Sequence, residues 1–435
     1  MPKTRGDAPD RAAAPAAARP SARRSTTGIA VASAVVALSA FLVQWAVGRF
    51  AAPEVTAEFL VYWALLFAAF GVIGGVRNET TRAVGAARAT GESGPRALTA
   101  ALVVGGAGAL MLLATAPAWA ERLVPSTAPA IVPVIALAVV VYACHVSVLG
   151  ALSGRESWGP MSATMAVEAT VRLAGVGAVL LVGGGLLPLE LVVAASALTW
   201  AVLLTLSPQV RRAAAARTDV GLGRLLRNSA YTVAASVASS ALITGFPVLM
   251  QLTSRDADAV VLAGTILAVS LTRSPIMIPL QAFQGYAIVA FLHSERRRLR
   301  ALARPLAALA AVGAVAAVAA WLLGPWVMDL LFAGRYEVAG STFAGLMVAA
   351  ATLAMLTLSG TAALADGAHA GYTAGWTLAA LAAAALLLLP LGLAERTVIA
   401  LVVGPVAGTA LHLAALARGA GGGTGGPASR GARTP

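Results

Sequence analysis

The sequence predicts an all-α integral membrane protein with about twelve transmembrane helices in two six-helix lobes and both termini in the cytoplasm. The chain has 435 residues, of which 59% are hydrophobic and 11% charged, and its mean hydropathy is +0.83. These values lie far outside the range of soluble proteins. The apolar residues form runs of about 20, the length that a helix needs to cross the hydrocarbon core. Basic residues are concentrated between alternate runs.

Five segments are predicted along the chain. Residues 1–26, rich in Ala, Pro and Arg, form a disordered basic cytoplasmic tail, and the Gly-rich residues 419–435 form a second disordered tail. Residues 27–207 and 229–418 form the two lobes, and the cytoplasmic linker 208–228 joins them. The predicted spans are 28–48, 57–76, 97–118, 128–151, 161–183, 187–207, 229–250, 259–281, 302–324, 342–363, 372–392 and 396–417.

The basic residues support this topology. With the N-terminus in the cytoplasm, 24 of the 31 Lys and Arg residues fall in predicted cytoplasmic tails and loops and five in outer loops, as the positive-inside rule requires. The net charge of +13 is therefore interpreted as a topology signal, and no nucleic-acid partner is expected. The six-plus-six layout is typical of transporters built from a parallel repeat.

Several classes of site are not expected. The single cysteine, Cys144, lies in an apolar run, which leaves no cysteine cluster for a metal. The sequence has no Gly-x-x-x-x-Gly-Lys-Ser/Thr loop, no Gly-x-Ser-x-Gly elbow and no His-Glu-x-x-His helix. We therefore predict no catalytic site, no metal site and no cofactor, and expect that the protein is not an enzyme.

The stretch 265–284 is predicted to be the functional centre. It is apolar yet contains Arg273, and Pro275 and Pro279 are expected to break its helix. A guanidinium at membrane depth costs at least about 2.5 kcal/mol, so Arg273 should face protein or a wet cavity. One interpretation is that Arg273 binds a lipid pyrophosphate, and the other is that it caps carbonyls freed by the prolines. The stripe on one face of this helix comprises Ser270, Arg273, Gln281 and Gln284.

Glu168 and Arg172 form a second candidate site in span five. Their spacing of four residues favours an ion pair on one helix face. One interpretation is a neutral structural pair. The other is that Glu168 exchanges a proton or Na⁺ while Arg172 contacts the substrate.

Three further groups are candidates of lower specificity. Ser236 and Ser240 belong to a hydroxyl stripe in span seven that suits either a substrate cavity or close helix packing. Arg77, at the cytoplasmic end of span two, suits either topology or a vestibule for a lipid headgroup. Tyr142 and His145 in span four are interpreted as a satisfied buried pair.

Three features of the chain are similar to those of a known family: the segment GRFAAPEVTAEFLVYWALLFAAFGVIGGVRNETTRAV, the segment GPWVMDLLFAGRYEVAGSTFAGLMVAA and the twelve-span layout. In these features the chain resembles the multidrug/oligosaccharidyl-lipid/polysaccharide (MOP) flippase superfamily, in particular its polysaccharide-biosynthesis, O-antigen flippase-like members. The second segment departs slightly from the family's Phe-Gly-x-x-Tyr-like turn, because Ala333 precedes Gly334. Span one contains no charged residue, which counts against lipid II as the substrate.

The resemblance implies two six-helix bundles around a cationic cavity lined largely by spans one, two, seven and eight, with Arg273 as a phosphate partner. It also implies a bacterial inner-membrane transporter that flips a polyprenyl-pyrophosphate-linked saccharide outward for cell-surface polysaccharide synthesis. The expected partners are that lipid, membrane lipids and a polysaccharide polymerase or other assembly proteins. The alternatives are a cation-coupled drug exporter of the same superfamily and a non-transporting scaffold for polymer assembly.

Overall fold

The computed structural model describes the backbone of residues 20–91, 94–254, 258–292 and 298–421. Side chains are described for 28–91, 94–254, 258–277 and 302–418. The two predicted disordered tails lie outside the described residues, except for their inner ends.

The fold is all-α, as predicted. Apart from one isolated β-bridge between Arg96 and Arg217 and one 3₁₀ turn, the regular structure of the described residues is α-helical. The helices are α1 Pro20–Phe50, α2 Pro53–Ile73, α3 Gly75–Thr90, α4 Ala97–Leu123, α5 Ala128–Gly154, α6 Trp158–Leu181, α7 Leu186–Ala195, α8 Thr199–Leu206, α9 Pro208–Ala214, α10 Leu222–Ile243, α11 Phe246–Thr253, α12 Ala259–Leu292, α13 Arg298–Phe332, α14 Gly340–Ala365, α15 His369–Leu386 and α16 Leu393–Gly421.

Ten of the described helical segments are long and apolar enough to cross a membrane, and the number is eleven if α10 and α11 count as one bent span. Each of the twelve predicted apolar segments is mostly helical, and spans two, six and seven are each divided between consecutive helices. The predicted eleventh span coincides with α15, an 18-residue helix with a polar first turn, which is not among the ten. The cytoplasmic placement of the two termini stays a prediction.

The helices pack into two lobes with related arrangements. In the first lobe, α5 packs along α3 and α4, and α1 packs along α6. In the second lobe, α14 packs along α12 and α13, and α10 packs along α15. The predicted linker 208–228 contains α9 and the first turns of α10.

Span eight differs from its prediction. The expected break at Pro275 and Pro279 does not occur, because α12 is continuous. Each proline removes one backbone N–H donor and so leaves one carbonyl of its helix without a hydrogen bond. A membrane helix tolerates this loss where neighbouring helices supply other donors. The break lies in span seven instead, where α10 and α11 meet at an angle of 64°.

Small residues allow the lobes to approach each other closely along α2, α3 and α10. A Cβ atom on Gly75 would lie 2.6 Å from backbone atoms of Thr232, and one on Gly71 would lie 2.6 Å from Ser240 Oγ. Small residues at such contacts let membrane helices pack backbone against backbone. The seam between the lobes therefore depends on the absence of side chains at these positions.

We expect Gly75→Ala to destabilise the protein, because a methyl group there meets the backbone of α10, which cannot move aside alone. Overpacking of this kind costs about 1–3 kcal/mol, and the midpoint of thermal unfolding in detergent should fall. The matched control is Gly106→Ala in α4, where a Cβ meets no heavy atom within 4 Å. Equal midpoints for the two variants would contradict this account of the seam.

Candidate functional site

A central cavity of about 410 Å³ lies between the two lobes. Its walls come from α1, α2, α10–α11 and α12, which are the four spans that the resemblance implied, and from α6 in span five. Much of the lining is apolar or aromatic, including Phe41, Trp63 and Phe67. The two charged residues among its described lining are Arg172 and Arg273.

Arg273 is held by the break in span seven. In a regular helix, the carbonyl of Ile243 would accept a hydrogen bond from the N–H of residue 247, but that residue is a proline and has none. The guanidinium of Arg273 donates to the Ile243 carbonyl through Nη1 and also lines the cavity. Arg273 does cap an open carbonyl, as one interpretation held, although the carbonyl belongs to α10 and not to its own helix.

Arg172 and Glu168 form a buried ion pair on α6. Arg172 Nη1 lies 2.5 Å from Glu168 Oε1, and the two side chains are 2% and 10% exposed. Ser196 Oγ donates to the same carboxylate oxygen at 3.0 Å. The guanidinium carbon lies 5.6 Å from the ring centre of Trp63 and 5.1 Å from that of Phe67, within the range of a cation–π interaction. The carboxylate and the aromatic rings thus compensate for the burial of this charge.

Hydrogen bonds join the two lobes between the central cavity and the α1–α2 connection. Ser270 Oγ on α12 donates to Gln44 Oε1 on α1 at 2.7 Å, and both residues line the cavity. Farther along α1, Trp45 Nε1 donates to the Leu331 carbonyl at 3.2 Å. The Tyr336 hydroxyl donates to the Gly48 carbonyl at 3.2 Å.

The Arg335 guanidinium completes this set of contacts by donating to the Ala51 carbonyl at 2.6 Å. The α1–α2 corner and the segment after α13 are therefore joined by side-chain donors and backbone acceptors.

The other predicted site residues lie elsewhere. Arg77 and Glu168 line a separate cavity of about 600 Å³ within the first lobe. Ser236 lines a groove between α10 and α15, and Ser240 is buried against α2. Gln281 and Gln284 lie outside the described side chains.

Sequence analysis missed several residues of the site. The aromatic residues Trp63 and Phe67 were not singled out, because apolar residues on every face of a membrane helix give no pattern that distinguishes a cavity wall from a lipid face. Tyr142 and His145 do stack, with ring centres 5.6 Å apart. The prediction of a satisfied pair is wrong for His145, whose buried Nδ1 has no hydrogen-bond partner among the described residues.

Two mycobacterial proteins are similar to this chain over most of their length. The uncharacterized protein Rv1510 of Mycobacterium tuberculosis is 37% identical over 402 residues, which cover 92% of this chain and 93% of that protein. The uncharacterized protein Rv3630 of the same species is 36% identical over 399 residues, which cover 91% and 92%. No protein-family model matches the chain.

Solved structures of MATE family transporters have the same fold. An inward-facing multidrug resistance MATE transporter of the MOP superfamily superposes with a TM-score of 0.68 at 13% identity, over 90% of this chain and 98% of that one. An outward-facing structure gives 0.61 at 14% identity, over 92% and 96%. A MOP superfamily transporter from Pyrococcus furiosus, for which reverse polarity of the binding pocket suggests a different function, gives 0.60 at 12% identity, over 91% and 96%.

We expect Glu168→Gln to destabilise the protein by about 3–5 kcal/mol, because it leaves the buried Arg172 charge without its carboxylate. The double variant Glu168→Gln/Arg172→Gln removes both charges and should recover part of this loss. Unfolding midpoints in detergent measure both effects. The matched control is Glu156→Gln, whose carboxylate is 73% exposed and lies 3.7 Å from Arg88, and which should cost at most about 1 kcal/mol. Equal losses in Glu168→Gln and the control would contradict the assignment.

Proposed function

We propose a function from the premise that this chain belongs to the family of the mycobacterial proteins Rv1510 and Rv3630 and has the fold of MATE transporters. The proposed function is to flip a polyprenyl-pyrophosphate-linked saccharide from the inner to the outer leaflet by alternating access. The product would supply the synthesis of a cell-surface polysaccharide, and the site of action would be the bacterial cytoplasmic membrane.

The charge of the central cavity carries this proposal. Its charged lining among the described residues is Arg172 and Arg273, with no carboxylate. Glu168 compensates Arg172, whereas Arg273 has a neutral carbonyl as its hydrogen-bond partner. The cavity therefore has a net positive charge, which attracts an anionic group. An arginine fork suits a phosphate oxyanion in particular, since it donates two parallel hydrogen bonds and keeps its proton.

The remaining lining suits the rest of such a substrate. Hydroxyl and amide groups of Ser33, Gln44, Thr244 and Ser274 reach the cavity and can bond to a saccharide. In the proposed cycle, the headgroup enters between the lobes while the lipid tail stays in the bilayer. A membrane potential that is negative inside favours outward movement of anionic charge by about 2.3 kcal/mol per charge per 100 mV.

The roles of the other candidate residues are proposals of the same kind. Glu168 couples transport to a proton or Na⁺ if its bond to Arg172 opens during the cycle. Arg77 meets the lipid headgroup on the cytoplasmic side, and Ser236, Gln281 and Gln284 contact the substrate along its path. Ser240 supports the seam, since it packs against Gly71. A polysaccharide polymerase or other assembly proteins act as partners that receive the flipped lipid.

A cation-coupled drug exporter is the second candidate function. The aromatic walls at Phe41, Trp63 and Phe67 would suit an aromatic drug, and solved structures with this fold include multidrug transporters. A cationic drug would, however, meet the positive charge of Arg273. A membrane scaffold that recruits polymer-assembly enzymes is the third candidate, and its activity would survive the loss of Arg273.

We expect Arg273→Gln to reduce flipping by about ten- to hundredfold, which corresponds to the loss of charged hydrogen bonds to phosphate. Glutamine is shorter than arginine, so the unfolding midpoint of the variant is measured beside its flipping rate to show whether the α10 end stays stable without the guanidinium. The assay measures transbilayer movement of a fluorescent polyprenyl-pyrophosphate saccharide in liposomes.

The control is Arg88→Gln, which removes a half-exposed arginine that is not among the described lining of the central cavity and should flip lipid at the wild-type rate. Wild-type movement in Arg273→Gln would refute the role of this residue. No movement in wild type, together with proton-driven efflux of a cationic dye, would favour drug export instead.

A further inference from the structure

The cavity inside the first lobe contains a positive charge that the described residues do not compensate. It has a volume of about 600 Å³ and is lined by side chains of α1, α3, α5 and α6, among them Arg77, Tyr142, His145 and Glu168. Glu168 is already paired with Arg172. Arg77 has no carboxylate within ion-pair distance among the described residues, which leaves the cavity with a net positive charge.

The guanidinium of Arg77 is poorly satisfied. Its hydrogen-bond contact within the described part of the chain is Met161 Sδ, at 3.6 Å. A thioether sulfur is a weak acceptor. A half-buried arginine with this partner keeps donors for an external acceptor, and such an unsatisfied group in a folded protein requires an explanation, for example an ion that binds there.

Tyr142 and His145 are two of the three polar α5 residues that line the same cavity; the third is Ser153. The Tyr142 ring is fixed between Phe70, with ring centres 3.8 Å apart, and His145, with ring centres 5.6 Å apart. The Tyr142 side chain lines the cavity, and its hydroxyl makes no hydrogen bond to another described residue. His145 Nδ1 is buried and also has no partner among the described residues, so the imidazole supports the Tyr142 ring but does not offer this nitrogen to the cavity. The cavity thus presents a guanidinium and a hydroxyl that lack acceptors among the described residues.

We propose that this cavity binds a phosphate-type oxyanion between Arg77 and Tyr142. An oxyanion supplies the acceptor oxygens that the guanidinium fork and the phenol hydroxyl lack, in the geometry that arginine prefers. The fixed stack of Phe70, Tyr142 and His145 holds the hydroxyl in place, so little ordering is needed on binding.

The oxyanion site lies in a cavity that shares only Val36 and Met165 with the described lining of the central cavity. Arg77 and Tyr142 line the first-lobe cavity and are not among the described lining of the central one. Phosphate binding at these two residues can therefore be measured without the flipping assay, although Arg77 also has a proposed role in flipping. Inorganic phosphate from the cytoplasm and the headgroup of an anionic lipid share the required chemistry.

The test uses the full-length protein in nanodiscs of neutral phosphatidylcholine. Inorganic phosphate is titrated against chloride at constant ionic strength, while the unfolding midpoint and the heat of binding are recorded. We expect phosphate to raise the midpoint in wild type. Arg77→Gln should weaken binding by about ten- to hundredfold, as expected for lost charged hydrogen bonds. Arg88→Gln, on the same helix and paired with Glu156, is the matched control and should bind normally.

Two more variants make the result specific. Tyr142→Phe keeps the ring stack but removes the hydroxyl, and should weaken binding several-fold even if Arg77→Gln fails to fold. The part of the phosphate effect that Arg77→Gln removes should persist in Arg273→Gln, which distinguishes the oxyanion site from any phosphate bound in the central cavity. Loss of the effect in Arg273→Gln with full retention in Arg77→Gln would overturn the inference.

A second arm distinguishes the two sources of the oxyanion. The neutral lipid is replaced by phosphatidylglycerol, without added phosphate. A rise of the midpoint that depends on Arg77 would identify the lipid headgroup as the ligand, whereas a rise with free phosphate alone would identify the soluble ion. If neither probe stabilises the wild-type protein in a manner that depends on Arg77, the inference is wrong.

Discussion

The burial of arginine inside an apolar helix bundle is the constraint on which the central cavity depends. A guanidinium at membrane depth must find acceptors within the protein. Arg172 finds a carboxylate and two aromatic faces, and Arg273 finds the one carbonyl that Pro247 leaves without a donor. The contact of Arg172 with the aromatic rings of α2 and the polarity of the cavity follow from how these two charges are satisfied. The bend of span seven supplies the carbonyl that Arg273 needs.

The fold was predictable because it depends on quantities that a sequence displays directly. The length of the apolar runs identified the membrane spans. The positions of the arginines between alternate runs supported the predicted topology. The positions of breaks within the spans were harder to predict from the sequence. Pro275 and Pro279 suggested a break in α12, yet the break lies at Thr244 and Gly245, just before Pro247. The effect of a proline in a membrane helix depends on which neighbours satisfy the freed carbonyl. That information is in the packing and not in the local sequence.

The candidate site was predicted in part, and the reason differs from residue to residue. Arg172 and Arg273 stood out because charge is rare in apolar runs, and both lie at the cavity. The spacing of the hydroxyl stripe in span seven did not predict which parts of the protein its residues contact. Ser236 faces a groove beside α15, and Ser240 faces α2, since a spacing of four places residues on one helix face without stating what covers that face. Trp63 was indistinguishable in sequence from any buried aromatic residue.

The contacts that join the α1–α2 corner to the second lobe have a consequence for how this protein tolerates change. Their acceptors are backbone carbonyls of Gly48, Ala51 and Leu331. Because a carbonyl is present whatever the side chain, Ala51 and Leu331 are free to vary without loss of these bonds. Gly48 is the exception, since a Cβ there would lie 2.9 Å from Leu267 and from Phe332. Substitutions at the donor side chains and at Gly48 should therefore weaken this interface, whereas substitutions at the other acceptor positions should leave its hydrogen bonds intact.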